Sequence, residues 1–198
     1  MKVGRTWEWR SQMAVSVYLE RVIDELERNA QLVKEEELQA MADAILRAER
    51  VFVAGTGRTG FAARAFSNRL MQLGMTVYFV GEPTTPAIGM GDLLFVESGS
   101  GETASLVVMA KKARETGARV GTVTIHPEAS IGRLADRVIC LPGATPKSGL
   151  EDTCSSVQVM ASSFEQLGWI VGDVLIHYLM ERTGITGDEM YKRHANLE

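Results

Sequence analysis

Between residues 51 and 141 five short runs of strand-forming residues alternate with longer helical or turn-rich stretches, and this alternation leaves few folds open. The runs are Val51 to Ala54, Thr76 to Val80, Leu93 to Val96, Arg119 to Ile125 and Arg137 to Leu141. Strands joined by crossovers lie parallel, and the crossing segments then cover both faces of the sheet. The expected fold class is α/β: a single-domain, three-layer sandwich with a five-stranded parallel sheet flanked by helices.

The flanks read as helix. Val15, Tyr18, Leu19, Val22, Ile23 and Leu26 keep helical spacing, and Leu38, Met41, Ala42, Ile45 and Leu46 repeat it after the charged break at Lys34 to Glu37. Two amphipathic helices therefore lead the chain. At the other end, Val157, Met160, Phe164, Leu167, Val171, Val174, Leu175 and Tyr178 form one stripe, which predicts a long helix from about Thr153 to Arg182. Gly168 and Gly172 interrupt it at a cost of roughly 1 kcal/mol each relative to alanine. They share a second face with Ala161 and Glu165, where small residues would let another backbone approach closely. Thr183 to Glu198 is a tail with a short helix. At 198 residues one core is the default, so residues 1–48 are expected to pack as a helical segment on an α/β unit spanning 49–198.

Charge and composition exclude several classes. A net charge of -4 gives no basic excess to hold a nucleic-acid backbone or an anionic membrane. No apolar stretch has the length that a signal peptide or a spanning helix requires, so a cytoplasmic location is expected. Cys140 and Cys154, without a CxxC pair, read as reduced packing thiols, and the ten methionines as core and interface fillers. No His, Cys, Asp and Glu set has metal-ligand spacing, and neither metal nor cofactor is expected.

Two loops carry the chemistry. Gly55-Thr56-Gly57-Arg58-Thr59-Gly60 leaves a strand and enters a helix, where backbone amides and the positive end of the helix dipole face an anion. It also fits the dinucleotide pattern G-x-G-x-x-G, with Glu82 about where a ribose-binding acid would follow. A nicotinamide enzyme would, however, need a substrate domain for which this chain has no room. Ser98-Gly99-Ser100-Gly101-Glu102-Thr103 is a second loop of the same kind. In an open parallel sheet, hydroxyls of Ser98, Ser100 and Thr103 with the helix-terminal amides would surround one compact phosphate at the carboxyl ends of the strands. Without a ligand, Ser100 or Thr103 could instead cap its helix.

The G-x-G-R-T loop followed by S-x-S-G-E-T resembles the sugar isomerase (SIS) domain, a family of phosphosugar isomerases and phosphosugar-binding regulators with a flavodoxin- or Rossmann-like fold. Arg64-Ala65-Phe66, Arg69-Leu70-Met71, Gly81-Glu82, Thr84-Thr85-Pro86-Ala87-Ile88, Ala144-Thr145-Pro146-Lys147, Phe164-Glu165-Gln166 and the ending Arg193-His194-Ala195-Asn196-Leu197-Glu198 are similar to the 6-phospho-3-hexuloisomerases. Thr59 stands where many of these enzymes carry serine and retains the hydroxyl. The resemblance implies interconversion of D-arabino-hex-3-ulose 6-phosphate and D-fructose 6-phosphate in the ribulose monophosphate route of formaldehyde fixation, by homotetramers. It places phosphate and substrate at Gly57, Arg58, Thr59, Ser98, Ser100, Gly101, Glu102 and Thr103.

Moving a carbonyl between adjacent sugar carbons requires a base that takes a proton from one carbon and returns one to the next, through an enediol. A carboxylate reaches the necessary basicity by burial away from water. Glu165, on the small-residue face of the long helix, is the candidate. Glu102 competes, but at the start of a helix the dipole would stabilise its charge, which suits an organiser. His194 could open a cyclic substrate or move a proton at an oxygen, its tail folding into a neighbouring subunit's cleft. His126 and His177 read as structural. Another phosphosugar aldose-ketose isomerase would use the same loops, and a non-enzymatic phosphosugar sensor would bind without proton exchange.

Overall fold

The computed structural model describes residues 16–145 and 154–197. Helices α1 (Val17–Ala30) and α2 (Glu35–Leu46) lead. Then β1 (Val51–Gly55), α3 (Gly57–Leu73), β2 (Val77–Phe79), β3 (Leu93–Glu97), α4 (Ala104–Glu115), β4 (Arg119–Thr124), α5 (Ser130–Leu134) and β5 (Arg137–Cys140) alternate, followed by α6 (Ser162–Thr183) and α7 (Gly187–Tyr191). All five strands pair in parallel, in the order β2-β1-β3-β4-β5. The two leading helices, the five-stranded parallel sheet and its α/β class are those expected from the sequence.

Alternation along the strands assigns each side chain to a face. Val51, Val53, Leu93, Phe95 and Val123 look towards α2, α3 and α6, and Phe52, Ala54, Leu94, Val96 and Val120 look towards α4 and α5. On the first face α3 lies over β1 and β2, α2 lies over β5, and α6 runs beside both helices, with α1 packed on α6. Phe164, Leu167, Val171 and Leu175 are buried along α6, each worth about 1.5–3 kcal/mol in apolar surface removed from water. Leu38, Met41, Ala42, Ala44 and Ile45 of α2 share this core, so the leading helices complete the sheet's cover.

The long helix starts later than its apolar stripe suggests. Thr153, its expected beginning, lies outside the described residues, as do Pro146, Lys147 and Glu198. The chain from 154 to 161 is not helical, and α6 begins at Ser162. Val157 and Met160, which fit the stripe, are exposed, and Met160 has φ 57°. The reason is tertiary: buried Glu25 of α1 accepts hydrogen bonds from Ser156 Oγ (2.6 Å) and the Val157 amide (3.1 Å). This ties the segment to α1, and Asn29 donates to Ser163 Oγ at 2.9 Å just inside α6.

Candidate active site

The sheet order places the reversal of winding between β1 and β3, and a crevice opens where the connections leave adjacent strands in opposite directions. Gly55 pairs with Glu97 in the register, so the loops following β1 and β3 start side by side. Both turn sharply through glycines in the left-handed region, Gly57 at φ 59° and Gly101 at φ 63°. At Gly101 a Cβ would also stand 2.7 Å from the Ala129 Cβ. The second loop is fastened to β4: the Ser98 amide donates to the Val123 carbonyl, and the Ile125 amide and Thr124 hydroxyl donate to the Gly99 carbonyl.

A cleft of about 140 Å³ lies over these loops, lined by Gly57, Arg58, Thr59, Glu97, Ser98, Ser100, Thr103 and Glu165 among others. The first-turn amides of α3 have no intrahelical partner, and Thr56 caps that helix without a side-chain hydrogen bond. Thr103 occupies the N-cap position of α4, yet its hydroxyl makes no capping bond. Ser98 Oγ is buried without a hydrogen-bond partner, while Ser100 Oγ accepts from the Glu102 amide at 3.3 Å. Unpaired amides and hydroxyls converging on one small space are suited to a phosphate, which can accept several short hydrogen bonds at once.

Across the cleft, the start of α6 brings in Glu165, whose carboxylate pairs with Arg58 of α3. Arg58 also donates to Ser162 Oγ at 3.0 Å. The structure thus unites seven of the ten residues singled out from the sequence. Gly101 and Glu102 stand behind the cleft: Glu102 accepts from the Ser130 amide at 2.7 Å, and hydrogen bonding to Ser130, through its side chain first and then its amide, holds the carboxyl below the usual range. It fastens the start of α5. His194 lies beyond α7, beside the C-terminal end of α3, where its neighbour Arg193 donates to the Gln72 carbonyl. The length of α3 separates the two ends by roughly 24 Å, so one chain does not bring His194 to Glu165.

Glu97 is the principal residue of the cleft that the sequence reading missed. It closes β3 on the same face as Leu93 and Phe95, 3% exposed, with its Oε1 buried and unpartnered. Burial first, and then the charge of Glu165, push its carboxyl up to about 8. The signal was the two-residue period, which carries the inward face one position past Val96. Gly168 also finds its reason here: a Cβ there would collide with Glu97 Oε1 and stand 3.2 Å from its Cδ. A Cβ at Gly172 would stand 3.4 Å from the Phe66 ring. The small face of α6 lets α3 pack closely, as expected, and also makes room for the carboxyl of Glu97.

Residues 44–168 match the SIS domain family. The chain is 40% identical over 186 residues to a 3-hexulose-6-phosphate isomerase of Bacillus subtilis, covering 94% of this chain and 100% of that one. It is 39% identical to a 3-hexulose-6-phosphate isomerase of Mycobacterium gastri, covering 91% and 89% of the two chains. Among solved structures, a protein of Methanococcus jannaschii for which a 3-hexulose-6-phosphate isomerase function has been inferred superposes with a TM-score of 0.75 at 32% identity, over 91% of this chain and 99% of that one.

Proposed function

The chain belongs to the SIS domain family, in the company of 3-hexulose-6-phosphate isomerases, and we propose that it interconverts D-arabino-hex-3-ulose 6-phosphate and D-fructose 6-phosphate in formaldehyde fixation by the ribulose monophosphate route. It is an isomerase of a phosphosugar. The observation that carries the reading is the meeting, in one cleft, of two strand-to-helix loops rich in unpaired donors with a carboxylate on the facing helix.

The amides of Gly57, Arg58 and Thr59 and the hydroxyls of Thr59, Ser98, Ser100 and Thr103 hold the phosphate, and binding this remote group positions the reacting carbons. Glu165 removes the proton from C2 of the 3-ketose and returns it to C3 through a 2,3-enediol. Arg58 pairs with Glu165, and the phosphosugar's phosphate offers it a second anion, so that it can leave the carboxylate to act as base. His194 comes from a neighbouring subunit and opens the cyclic ketose.

Self-association has support beside the cleft. Phe61, Trp169 and Ile170 are exposed next to Arg58 and Glu165, and Tyr18, Leu19 and Ile23 form an exposed apolar face on α1. Covering them is the expected role of further copies in a homotetramer. Among the described residues no helix is long and apolar enough to cross a membrane, and a metabolic isomerase of this kind works in the cytoplasm.

The test is a panel of phosphosugars. Conversion of D-arabino-hex-3-ulose 6-phosphate to D-fructose 6-phosphate, with aldopentose phosphates turned over at least a hundredfold more slowly, is expected. The opposite preference would move the assignment to an aldose-ketose isomerase, and tight binding without turnover would make the protein a sensor.

A further inference from the structure

Glu97 is a costly residue where it stands. A carboxyl group taken from water without a hydrogen-bond donor destabilises a fold, and native proteins seldom retain one without use. Among the described residues no donor reaches its Oε1, so the carboxyl ties no elements together. Its packing is nevertheless prepared: α6 carries glycine at position 168, where any Cβ would displace the carboxyl. Residues 165 and 168 share a face of that helix, so Glu97 faces the same stretch of α6 that presents Glu165. Glu97 itself lines the cleft, one residue before the Ser98 loop.

We infer that Glu97 is a second catalytic carboxyl group, an acid that exchanges protons with the substrate's oxygens while Glu165 moves the carbon-bound hydrogen. The inference rests on the isomerase reading above. An enediol isomerisation needs both services, because the carbonyl oxygen must gain a proton as the adjacent carbon loses one.

The steps balance between the two carboxyl groups. The Glu165 carboxylate takes the hydrogen of C2; the C2–H electron pair becomes the C2–C3 double bond, and the C3–O3 π pair takes the proton of Glu97. A neutral 2,3-enediol, a protonated Glu165 and a Glu97 carboxylate result. Glu97 then removes the O2 proton, C2=O forms, and Glu165 gives its hydrogen to C3. Both groups end as they began, and no further reactant is consumed.

Protonation of Glu97 in the resting enzyme is what this role needs, and burial together with the neighbouring Glu165 charge holds the proton on to about pH 8. The charged groups facing it are Glu165 from α6 and, paired with that residue, Arg58 from α3. Strands β1 and β4 flank Glu97 with Gly55 and Val123, which carry no charge.

The experiment compares wild type, Glu97→Gln and Glu97→Val for conversion of D-arabino-hex-3-ulose 6-phosphate between pH 6 and 9.5, with a thermal melt of each. Wild-type kcat should fall on the alkaline side near pH 8. Glu97→Gln should lose kcat by about 100-fold with KM nearly unchanged, the size typical of a missing proton donor, and its profile should have no alkaline fall. Glu97→Val should be as inactive and melt at or above the wild-type temperature, which a residue retained for structure would not do. Active wild type with a Glu97→Gln variant of unchanged kcat and unchanged alkaline fall would overturn the inference alone. Inactive wild type would overturn it together with the isomerase reading.

Discussion

Alanine usually stabilises a helix relative to glycine by about 1 kcal/mol, and Gly168 in the interior of α6 should reverse that rule because of what it faces. The Cβ of Gly168→Ala would strike Glu97 Oε1, and Cδ behind it leaves little room at 3.2 Å. Forcing an extra methyl group into a packed interior costs about 1–3 kcal/mol. Set against the helix gain, the net expected effect is a loss of up to about 2 kcal/mol. Glu97→Ala removes the obstacle, so in that background Gly168→Ala should stabilise by about 1 kcal/mol. Urea denaturation of the four proteins at one pH gives both values and the coupling between the sites. Equal effects of Gly168→Ala in the two backgrounds, of either sign, would refute the contact between α6 and Glu97.

The same carboxyl should make stability depend on pH. Its folded value of about 8 stands above the ordinary 4.5, so in that window the folded protein keeps a proton the unfolded chain has lost, and stability falls as pH rises at just over 1 kcal/mol per unit, for an upper bound of about 5 kcal/mol. Relative to wild type, Glu97→Gln should therefore gain stability from pH 5 to pH 8 in denaturant melts, and parallel profiles would contradict the assignment. Ser98→Ala should leave the melt unchanged, because its hydroxyl has no partner to lose, while raising KM for the phosphosugar about 10- to 100-fold through one hydrogen bond to a charged group. An unchanged KM would remove Ser98 from the phosphate cradle.

Much of the architecture was legible because it rests on local periodicity. The change at Val51 from helical spacing to short runs of strand-forming residues, and the repeated strand-to-helix loops at Gly55 and Ser98, were enough for a parallel sheet with a ligand crevice. What remained hidden depends on residues far apart in sequence. Val157 and Met160 satisfy a helical stripe, and only Glu25, 131 residues before Ser156, diverts that segment from helix. Glu97 falls between the Leu93 to Val96 run and the Ser98 loop, and its burial depends on the register that sets it opposite Gly55 and on the cover of α6. Gly168 announced a close neighbour, but the spacing alone did not say that the neighbour was a side chain. His194 is carried by the family ending, and a single chain sets it at the far end of α3 from the cleft.

The central claim is a 2,3-enediol made by Glu165, and position-resolved deuterium exchange tests it most directly. D-Fructose 6-phosphate would be incubated in deuterated water with wild type and Glu165→Gln, and deuterium at each carbon followed by NMR. The account predicts deuterium at C3 with wild type and its loss, at retained binding, with the variant. Exchange at C1 in place of C3, or no exchange by wild type that binds the sugar, would contradict it.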